Sequence, residues 1–106
     1  MSDIALLWST FADRDEAERI ARSVTTERLA ACVNILAPCT SIYRWEGEVE
    51  HGEEVPALFK TTTLLAARLR DRIAELHSYD LPVIEAWPVS ACANVWTWID
   101  RETLAP

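Results

Sequence analysis

The segment "SIYRWEGEVE", residues 41–50, decides the fold, because a tight turn interrupts a run of residues that is typical of strands. Two aromatic residues, Tyr43 and Trp45, stand before the dipeptide Glu46-Gly47, and alternating acids follow it. Glycine takes a positive φ without steric cost, so this dipeptide predicts the turn of a β-hairpin. The prediction raises the question of what the two aromatic side chains contact near the hairpin tip.

The aromatic residues of this hairpin have two candidate roles. In a two-residue hairpin Trp45 faces Glu48 and Tyr43 faces Glu50, so the four side chains share one face. Aromatic rings surrounded by carboxylates can bind an organic cation. Tyr and Trp are also enriched where subunits meet. We favour the second interpretation, in which Tyr43 and Trp45 belong to an interface between copies of the chain.

Upstream of the hairpin, the sequence predicts a strand followed by a helix. Residues 4–10 begin with an apolar run that is typical of a strand buried on both faces. Asp13 with Glu16 three residues later resembles a capping box, and apolar residues then recur with helical spacing. We expect this helix to end near Arg28.

The second strand is predicted over residues 30–36, with a proline just beyond them. Pro38 lacks the N–H group that a central strand donates, so the strand lies at a sheet edge or bulges there. It resumes after this proline and continues to the hairpin turn. The return strand is predicted over residues 48–61, with a bend near Gly52 or Pro56.

Three further elements complete the chain. A second amphipathic helix begins near Leu65 and stops by His77, because the proline that follows disfavours helical conformation in the residue before it. Residues 83–89 form a fourth strand, whose Pro88 again indicates an edge. Residues 94–101 form a short terminal helix.

The predicted order β-α-β-β-α-β plus a terminal helix is an α+β arrangement of the ferredoxin-like kind, in a single domain of residues 1–106. In that fold the second and fourth strands are the sheet edges, as the two prolines independently indicate. About fourteen residues per hairpin arm would extend roughly 45 Å. A compact domain of this size is about 35 Å across, so the hairpin protrudes or bends. Contact with neighbouring subunits in a closed ring is the simplest way to cover it.

The charge and the cysteines limit the partners and the compartment. The 106 residues include 17 acidic and 10 basic side chains, for a formal net charge of −7. Phosphate backbones are bound by Lys and Arg, so nucleic acids and anionic membranes are not expected as partners. The first apolar run is too short for a signal peptide, and the three cysteines lack disulfide or zinc spacing. We expect a cytoplasmic protein with free thiols, and we expect its five tryptophans to be buried.

No catalytic motif emerges from the sequence, so an enzyme is not predicted. His77 is either a polar cap at a helix end or a metal ligand, and no second His stands at ligand spacing. Lys60 and Glu85 interrupt apolar strands, so they pair with each other, lie at a solvated edge or line a pocket. Cys32 and Cys39 are expected on opposite strand faces unless the chain bulges between them.

The motifs "ERLAACVN", "TSIYRWEGEVE", "FKTT" and "HSYDLPVIEAWPV", in this order, resemble the CutA family of divalent-cation tolerance proteins. The resemblance extends over residues 7–99. It implies a ferredoxin-like homotrimer that is structurally close to the PII signalling proteins, which bind small ligands in clefts between subunits. It also implies a role in tolerance of divalent metals, copper especially.

The resemblance also implies candidate site residues. The copper ligands proposed for the family are a Cys at the end of the first strand and a His-His pair. The matching positions are Ser9, Leu76 and His77, of which only His77 keeps its type. A soft thiolate would select copper, so a hydroxyl at Ser9 weakens that expectation, and the predicted cofactor is a divalent metal, Cu or Zn. The likeness places four residues toward an intersubunit ligand cleft: Cys32, Lys60, Tyr79 and Glu85.

Two functions follow from these observations. The first is a homotrimeric CutA-type protein of metal tolerance, which binds a divalent metal or a small ligand at clefts between subunits. The alternative is a PII-like signalling or scaffold module, whose cleft binds a small organic ligand.

Overall fold

The computed structural model describes residues 2–104, and within them five strands and three helices follow one another. Their bounds are β1 Ser2–Phe11, α1 Arg14–Thr26, β2 Cys32–Ile35, β3 Cys39–Trp45, β4 Glu48–Thr61, α2 Ala66–Leu76, β5 Ile84–Ala91 and α3 Ala93–Glu102. The α+β class is confirmed. None of these helices, in the described part of the chain, is long and apolar enough to cross a membrane.

The strands pair antiparallel in the order β2-β4-β1-β5, and β3 pairs with the first half of β4. β1 and β2 are therefore parallel to each other with β4 between them, so α1 belongs to a crossover connection. α2 belongs to a second crossover, from β4 to β5 across β1. β2 and β5 are the edges, which confirms the positions that Pro38 and Pro88 predict.

The first helix begins as its capping residues predict and ends close to the expected residue. The carboxylate of Asp13 accepts a hydrogen bond of 2.8 Å from the backbone N–H of Glu16. The side chain of Glu16 returns to the N–H of Ala12 at 3.1 Å, one residue before the cap. The helix ends at Thr26 with Glu27 as its C-cap, and Arg28, near which the end was predicted, has a φ of 62° and cannot continue a right-handed helix.

The main core lies between one face of the sheet and the helices α1 and α2. It takes alternate residues of β1 and β4 together with the apolar stripes of the two helices, including Leu7, Phe11, Ile20, Val24, Phe59, Leu69 and Ile73. Each buried side chain of this size contributes about 1.5–3 kcal/mol. This layer therefore fixes the sheet against the helices and leaves the other sheet face free for a different role.

The opposite face of the sheet is covered at one end only. α3 packs there through Ile99, which contacts Ile4 of β1 and Ala91 of β5. Beyond α3, Trp8 and Leu58 project from the same face and are half-buried. A substantial apolar surface is therefore left open in the single chain.

The five tryptophans are not buried in the single chain, contrary to the expectation from the sequence. Three of them are exposed, with relative exposures of 47% for Trp45, 40% for Trp87 and 39% for Trp98. Trp8 and Trp96 are half-buried. Large aromatic surface in contact with water is unfavourable, so these side chains indicate surfaces that a partner or a ligand covers.

The predicted hairpin is formed by β3 and β4. Its turn residues Glu46 and Gly47 have φ angles of 49° and 84°, the positive pair that a type I′ turn requires. Trp45 pairs with Glu48, so the predicted register is confirmed. The molecule measures 45 × 24 × 23 Å, and its radius of gyration of 14.3 Å exceeds the roughly 13 Å of a compact domain of this length. The hairpin therefore elongates the molecule, as predicted.

The connection from β2 to β3 contains one residue more than the matching stretch of β4, the strand with which both pair. Ile35 pairs with Ala57 and Cys39 pairs with Glu54, so four steps along the first arm face three along the second. This is the geometry of a β-bulge, which bends a strand pair and increases its twist. It coincides with Pro38, as predicted, and it limits the paired hairpin arm to β3, about half of the expected length.

The bulge decides the placement of two cysteines, which were expected on opposite faces unless the chain bulged between them. Cys32 and Cys39 lie on separate strands, and their partners on β4 are Lys60 and Glu54. Those partners are an even number of residues apart, so the two thiols lie on the same side of the strand pair. The spacing along β4 is nevertheless roughly 20 Å. A metal site shared by the two free thiols of one chain is therefore excluded.

Candidate functional site

An open groove with a volume of about 700 Å³ runs along the hairpin, and we call it the hairpin groove. Tyr43 and Trp45 of β3 line it on the hairpin side, and Trp8 of β1 extends it toward the main sheet. Its other wall is the segment between α2 and β5, from which Tyr79 and Leu81 project. Sites for small molecules have volumes of about 300–1,000 Å³ and are mainly apolar, and this groove fits both criteria.

Carboxylates give the hairpin groove its charge. Glu53, Glu54 and Asp80 line it. Glu54 is half-buried, and its Oε2 accepts a hydrogen bond of 2.9 Å from the hydroxyl of Tyr79. The ion pairs formed within residues 2–104 do not include Glu54. The groove therefore contains a carboxylate that is partly withdrawn from water and lacks a basic partner in the described chain.

Arg44 also lines the hairpin groove, but its charge is directed to the tip. Its Nη2 donates to the backbone carbonyl of Gly47 at 3.3 Å. The groove thus has an acidic interior with a basic group at one end.

The phenol of Tyr79 acts as a hydrogen-bond donor in this site. Burial of the ring, together with the hydrogen bond to the carboxylate of Glu54, raises the pKa of Tyr79 well above its usual range. The hydroxyl therefore keeps its proton throughout the physiological pH range and holds the side chain of Glu54 in place.

His77 lies beneath the groove wall and is only 8% exposed. Its Nε2 is 2.9 Å from the carbonyl oxygen of Thr10, which can only accept, so Nε2 carries the proton. Nδ1 accepts a hydrogen bond of 3.2 Å from the backbone N–H of Tyr79. The ring also stacks on Phe11, with centroids 4.8 Å apart. Both ring nitrogens are engaged, so a metal at His77 would have to displace one of these hydrogen bonds.

The other two positions that match the copper ligands of the family are part of the interior. Ser9 is fully buried, and its Oγ donates to the carbonyl oxygen of Val83 at 2.8 Å. Leu76 packs against the main core. Within residues 2–104 no three side chains of His, Cys, Asp or Glu are grouped closely enough to hold a metal ion. Metal binding at His77 stays a prediction.

Glu16 ties the start of α1 to the groove wall. Its Oε2 accepts the backbone N–H of Ser78 at 2.9 Å, and its Oε1 accepts that of Ala12. Burial acts to raise the pKa of Glu16, but the hydrogen bonds from Ser78 and Ala12 outweigh it, so the pKa is lowered. Glu16 and His77 thus fix one end of the segment between α2 and β5, while Ser9 fixes the other.

The four residues predicted for a ligand cleft do not line one site within the single chain. Tyr79 lines the hairpin groove, whereas the other three do not. Cys32 pairs with Lys60 across β2 and β4, and Glu85 pairs with Trp8 across β5 and β1. The predicted pairing of Lys60 with Glu85 is wrong for the described residues, since no ion pair joins them. Glu85 is exposed on an edge strand, which was the alternative, and a common cleft between subunits stays a prediction.

The sequence alone does not single out Glu54 as a site residue. One signal was available: Glu54 stands at an even spacing from Glu48 and Glu50 on the return strand, so it shares the face of Tyr43. Its contact with Tyr79 had no local signal, because the two residues are 25 positions apart.

Comparisons with a family model and with individual proteins point to the same family. The family model described as CutA1 divalent ion tolerance protein matches residues 5–102. The divalent-cation tolerance protein CutA of Thermus thermophilus is 43% identical over 90 residues, which cover 85% of each chain.

Solved structures share the fold over nearly the whole chain. CutA from Xylella fastidiosa has a TM-score of 0.89 and 40% identity, with 95% of this chain and 98% of that chain covered. The periplasmic divalent cation tolerance protein CutA from Archaeoglobus fulgidus has a TM-score of 0.89 and 36% identity, with 93% and 97% covered.

Proposed function

Because the chain belongs to the family of CutA1 divalent ion tolerance proteins, we propose that it acts in tolerance of divalent metal ions as a homotrimer of ferredoxin-like subunits. The observation that carries the proposal is the open apolar surface of the single chain, where Tyr43 and Trp45 are each 47% exposed. Such side chains are typical of subunit interfaces. The hairpin groove then lies at or beside the contacts between subunits.

The proposed ligand is a divalent cation, copper or zinc by likeness to the family. The negative charge of Glu53, Glu54 and Asp80 in the hairpin groove supports this by attracting cations. Within residues 2–104 these side chains do not form a complete ligand set, so further ligands would have to come from a neighbouring subunit. His77 is a further candidate ligand, and coordination of a metal by its Nδ1 would replace the hydrogen bond from the backbone N–H of Tyr79. The hydroxyl of Ser9 already donates a hydrogen bond to the carbonyl oxygen of Val83, so Ser9 is not proposed as a metal ligand.

Calorimetric titration with CuCl2 and ZnCl2 tests the metal half of the proposal. We expect binding with a dissociation constant of about ten micromolar or tighter, and weaker binding by the variant Glu54→Gln. Glu48→Gln, on the same strand but outside the groove, is the matched control. Heat signals no larger than those of the buffer would contradict metal binding.

Light scattering tests the assembly. The expected mass is three times the 12.0 kDa of the chain. A mass of one chain at micromolar concentration would contradict the homotrimer.

The lining of the groove favours a second candidate, a PII-like module that binds a small organic ligand. Trp8, Tyr43, Trp45, Leu81 and Val83 give the groove a largely apolar surface, and organic ligands fill sites of about this volume. A thermal-shift screen of metabolites distinguishes the two candidates, because a ligand specific to the folded state raises the melting temperature. A metabolite that stabilises the protein where metals do not would favour this candidate.

We propose a binding role without enzymatic activity, and a cytoplasmic location. The relatives are named as tolerance proteins. The cysteines Cys32, Cys39 and Cys92 are free, as suits a reducing compartment. The relative from Archaeoglobus fulgidus is described as periplasmic, so fractionation of cells is the deciding measurement.

A further inference from the structure

We propose that Tyr79 is a positioning residue for assembly: its hydrogen bond to Glu54 sets the angle of the hairpin, and thereby the place at which Tyr43 and Trp45 meet a neighbouring subunit. This inference rests on the proposed function, in which those two aromatic residues belong to the contacts of a homotrimer. The hydrogen bond joins two residues of one subunit, so the inference requires no open surface in the assembled protein.

The distal part of the hairpin, residues 39–54, extends beyond the main sheet. The pairing of β4 with β2 ends at Ala57, and its pairing with β1 ends at Val55. From there to the tip, β3 and β4 pair with each other. A two-stranded ribbon is marginal by itself, and the bulge between β2 and β3 allows it to bend. The ladder hydrogen bonds of the main sheet therefore do not fix the angle of the distal hairpin.

One polar contact links the distal hairpin to another part of the subunit. Within residues 2–104, the hydroxyl of Tyr79 donates to Oε2 of Glu54 at 2.9 Å, and the other side-chain hydrogen bonds of the distal hairpin stay inside it. The ion pairs of the described chain do not include its residues. Glu54 lies at the base of the distal hairpin, so this bond is the polar contact that fixes the angle of the hairpin.

Tyr79 is itself held by the core. Its backbone N–H donates to Nδ1 of His77 at 3.2 Å, and its ring packs on the ring of His77 with centroids 4.7 Å apart. His77 is buried and bonds the carbonyl of Thr10 in β1. The residue between them, Ser78, bonds the side chain of Glu16 in α1. The position of the donor is therefore set within the subunit, before a second subunit binds.

The length of the distal hairpin amplifies small changes of its angle. Cys39 pairs with Glu54, and Trp45 stands six residues further along β3, which corresponds to roughly 20 Å. A tilt of about 10° at Glu54 would move Trp45 by roughly 3 Å, enough to separate side chains in van der Waals contact. A subunit whose hairpin already has the correct angle loses less conformational freedom on association.

Refolding kinetics test the proposal. The protein is diluted from urea into buffer at several submicromolar concentrations, with circular dichroism following the folding of the subunits and light scattering following their assembly. Tyr79→Phe removes the hydroxyl and keeps the ring. We expect it to lower the concentration-dependent rate constant of assembly at least about fivefold, because association then requires a conformational change. The concentration-independent folding phase should stay within about twofold of the wild type.

Thr61→Val is the matched control. It removes a buried hydrogen bond of 2.7 Å, from the hydroxyl of Thr61 to the carbonyl of Leu29, at the opposite end of β4 from the hairpin. We expect this variant to assemble within about twofold of the wild-type rate, even if its subunits fold more slowly. A Tyr79→Phe variant that slows the folding phase and leaves assembly unchanged would show a purely structural role and would overturn the proposal.

Variants of Glu54 test the same hydrogen bond from its acceptor side. Glu54→Gln keeps an acceptor for the hydroxyl of Tyr79 and should assemble within about twofold of the wild-type rate, whereas Glu54→Ala should slow assembly about as much as Tyr79→Phe. The double variant should be no slower than either single variant, because both remove one interaction. Independent, additive effects would contradict the coupling. If circular dichroism shows that Tyr79→Phe is unfolded, Glu54→Ala replaces it.

The same measurements separate this inference from the proposed function. A wild type that stays monomeric overturns the homotrimer and this inference with it. A wild-type trimer whose Tyr79→Phe variant assembles at an unchanged rate overturns this inference alone. Zinc titration of Glu54→Gln tests the metal half independently, since that variant loses the charge of the carboxylate and keeps an acceptor for Tyr79.

Discussion

At the scale of single residues, His77 joins parts of the molecule that lie far apart in the sequence. Its ring bonds the carbonyl of Thr10, which is 67 positions away, and the backbone of Tyr79, and it stacks on Phe11. These contacts hold the end of α2 and the groove wall against the end of β1. The residue therefore stabilises the fold independently of any metal.

We expect His77→Ala to lower the free energy of unfolding by about 2–4 kcal/mol, because it removes two partly buried hydrogen bonds and leaves a cavity beside Phe11. Urea denaturation in the presence of a chelator measures this without a contribution from metal. His51→Ala on the exposed hairpin is the control and should stay within about 0.5 kcal/mol of the wild type. A loss for His77→Ala as small as the control's would contradict the structural role.

Glu16 makes stability depend on pH. Its pKa in the folded state lies below the unfolded value of 4.5, so folding favours the charged form. The contribution of this group is fully present above the unfolded pKa and is lost as the pH falls through the folded pKa. We expect the wild type to lose more stability than Glu16→Gln when the pH is lowered from about 6 to about 3. Urea denaturation at a series of pH values measures this, and parallel curves for the two proteins would contradict it.

The sequence predicts the local roles of Glu16 and His77, but it does not predict their contacts with distant parts of the chain. The N-cap at Asp13, which bonds the N–H of Glu16, and the helix end at His77 follow from the neighbouring residues, and both are confirmed. The return bond of Glu16 goes to Ala12, one residue before the cap. The bond from Ser78 to Glu16 spans 62 positions, so its geometry depends on the packing of α1 against α2. A single sequence carries no signal of such a contact.

At the scale of elements, the hairpin turn depends on one glycine. Gly47 has a φ of 84°, while Gly52 in β4 lies outside the left-handed region, and a Cβ added at either would meet nothing within 4 Å. The two positions therefore differ in backbone conformation and not in available space. This makes them a matched pair for measuring the cost of the turn.

We expect Gly47→Ala to destabilise the protein by about 1–2 kcal/mol, because an L-residue in the left-handed region is strained. Gly52→Ala should change stability by less than about 0.5 kcal/mol. Thermal unfolding of the two variants measures the difference. Equal melting temperatures would show that the turn relaxes without cost.

Local patterns predicted the elements and their order better than their ends. The turn, both edge strands and the helices were predicted from Gly, Pro and apolar spacing. The left-handed conformation of Arg28 just after α1 had no local signal, and its side chain contacts α3, where its Nη2 donates to the carbonyl of Arg101 at 2.8 Å. The split between β2 and β3 was anticipated at Pro38, but the one-residue offset depends on pairing with β4.

At the scale of the whole molecule, the exposed aromatic side chains predict where the proposed trimer is most sensitive. We expect Trp45→Ala to weaken assembly by at least about 2 kcal/mol, because interface tryptophans are frequent hot spots. Sedimentation over a range of concentrations measures the shift toward monomer. Leu64→Ala, at a residue 73% exposed in the turn before α2, is the control and should leave assembly unchanged. A Trp45→Ala variant that stays trimeric at all concentrations would assign the ring to ligand binding instead.

The bulge between β2 and β3 fixes the number of residues that can connect these two strands. Connections between strands usually tolerate gain or loss of a residue, because they lie on the surface. Residues 36–38 differ, since they absorb the one-residue mismatch between two registers that share β4. Removing one residue would let β2 run into β3 as an unbroken ladder and would straighten the hairpin away from the groove. In an alignment of relatives that keep this groove, gaps should therefore fall elsewhere, and these three positions should vary in residue type but not in number.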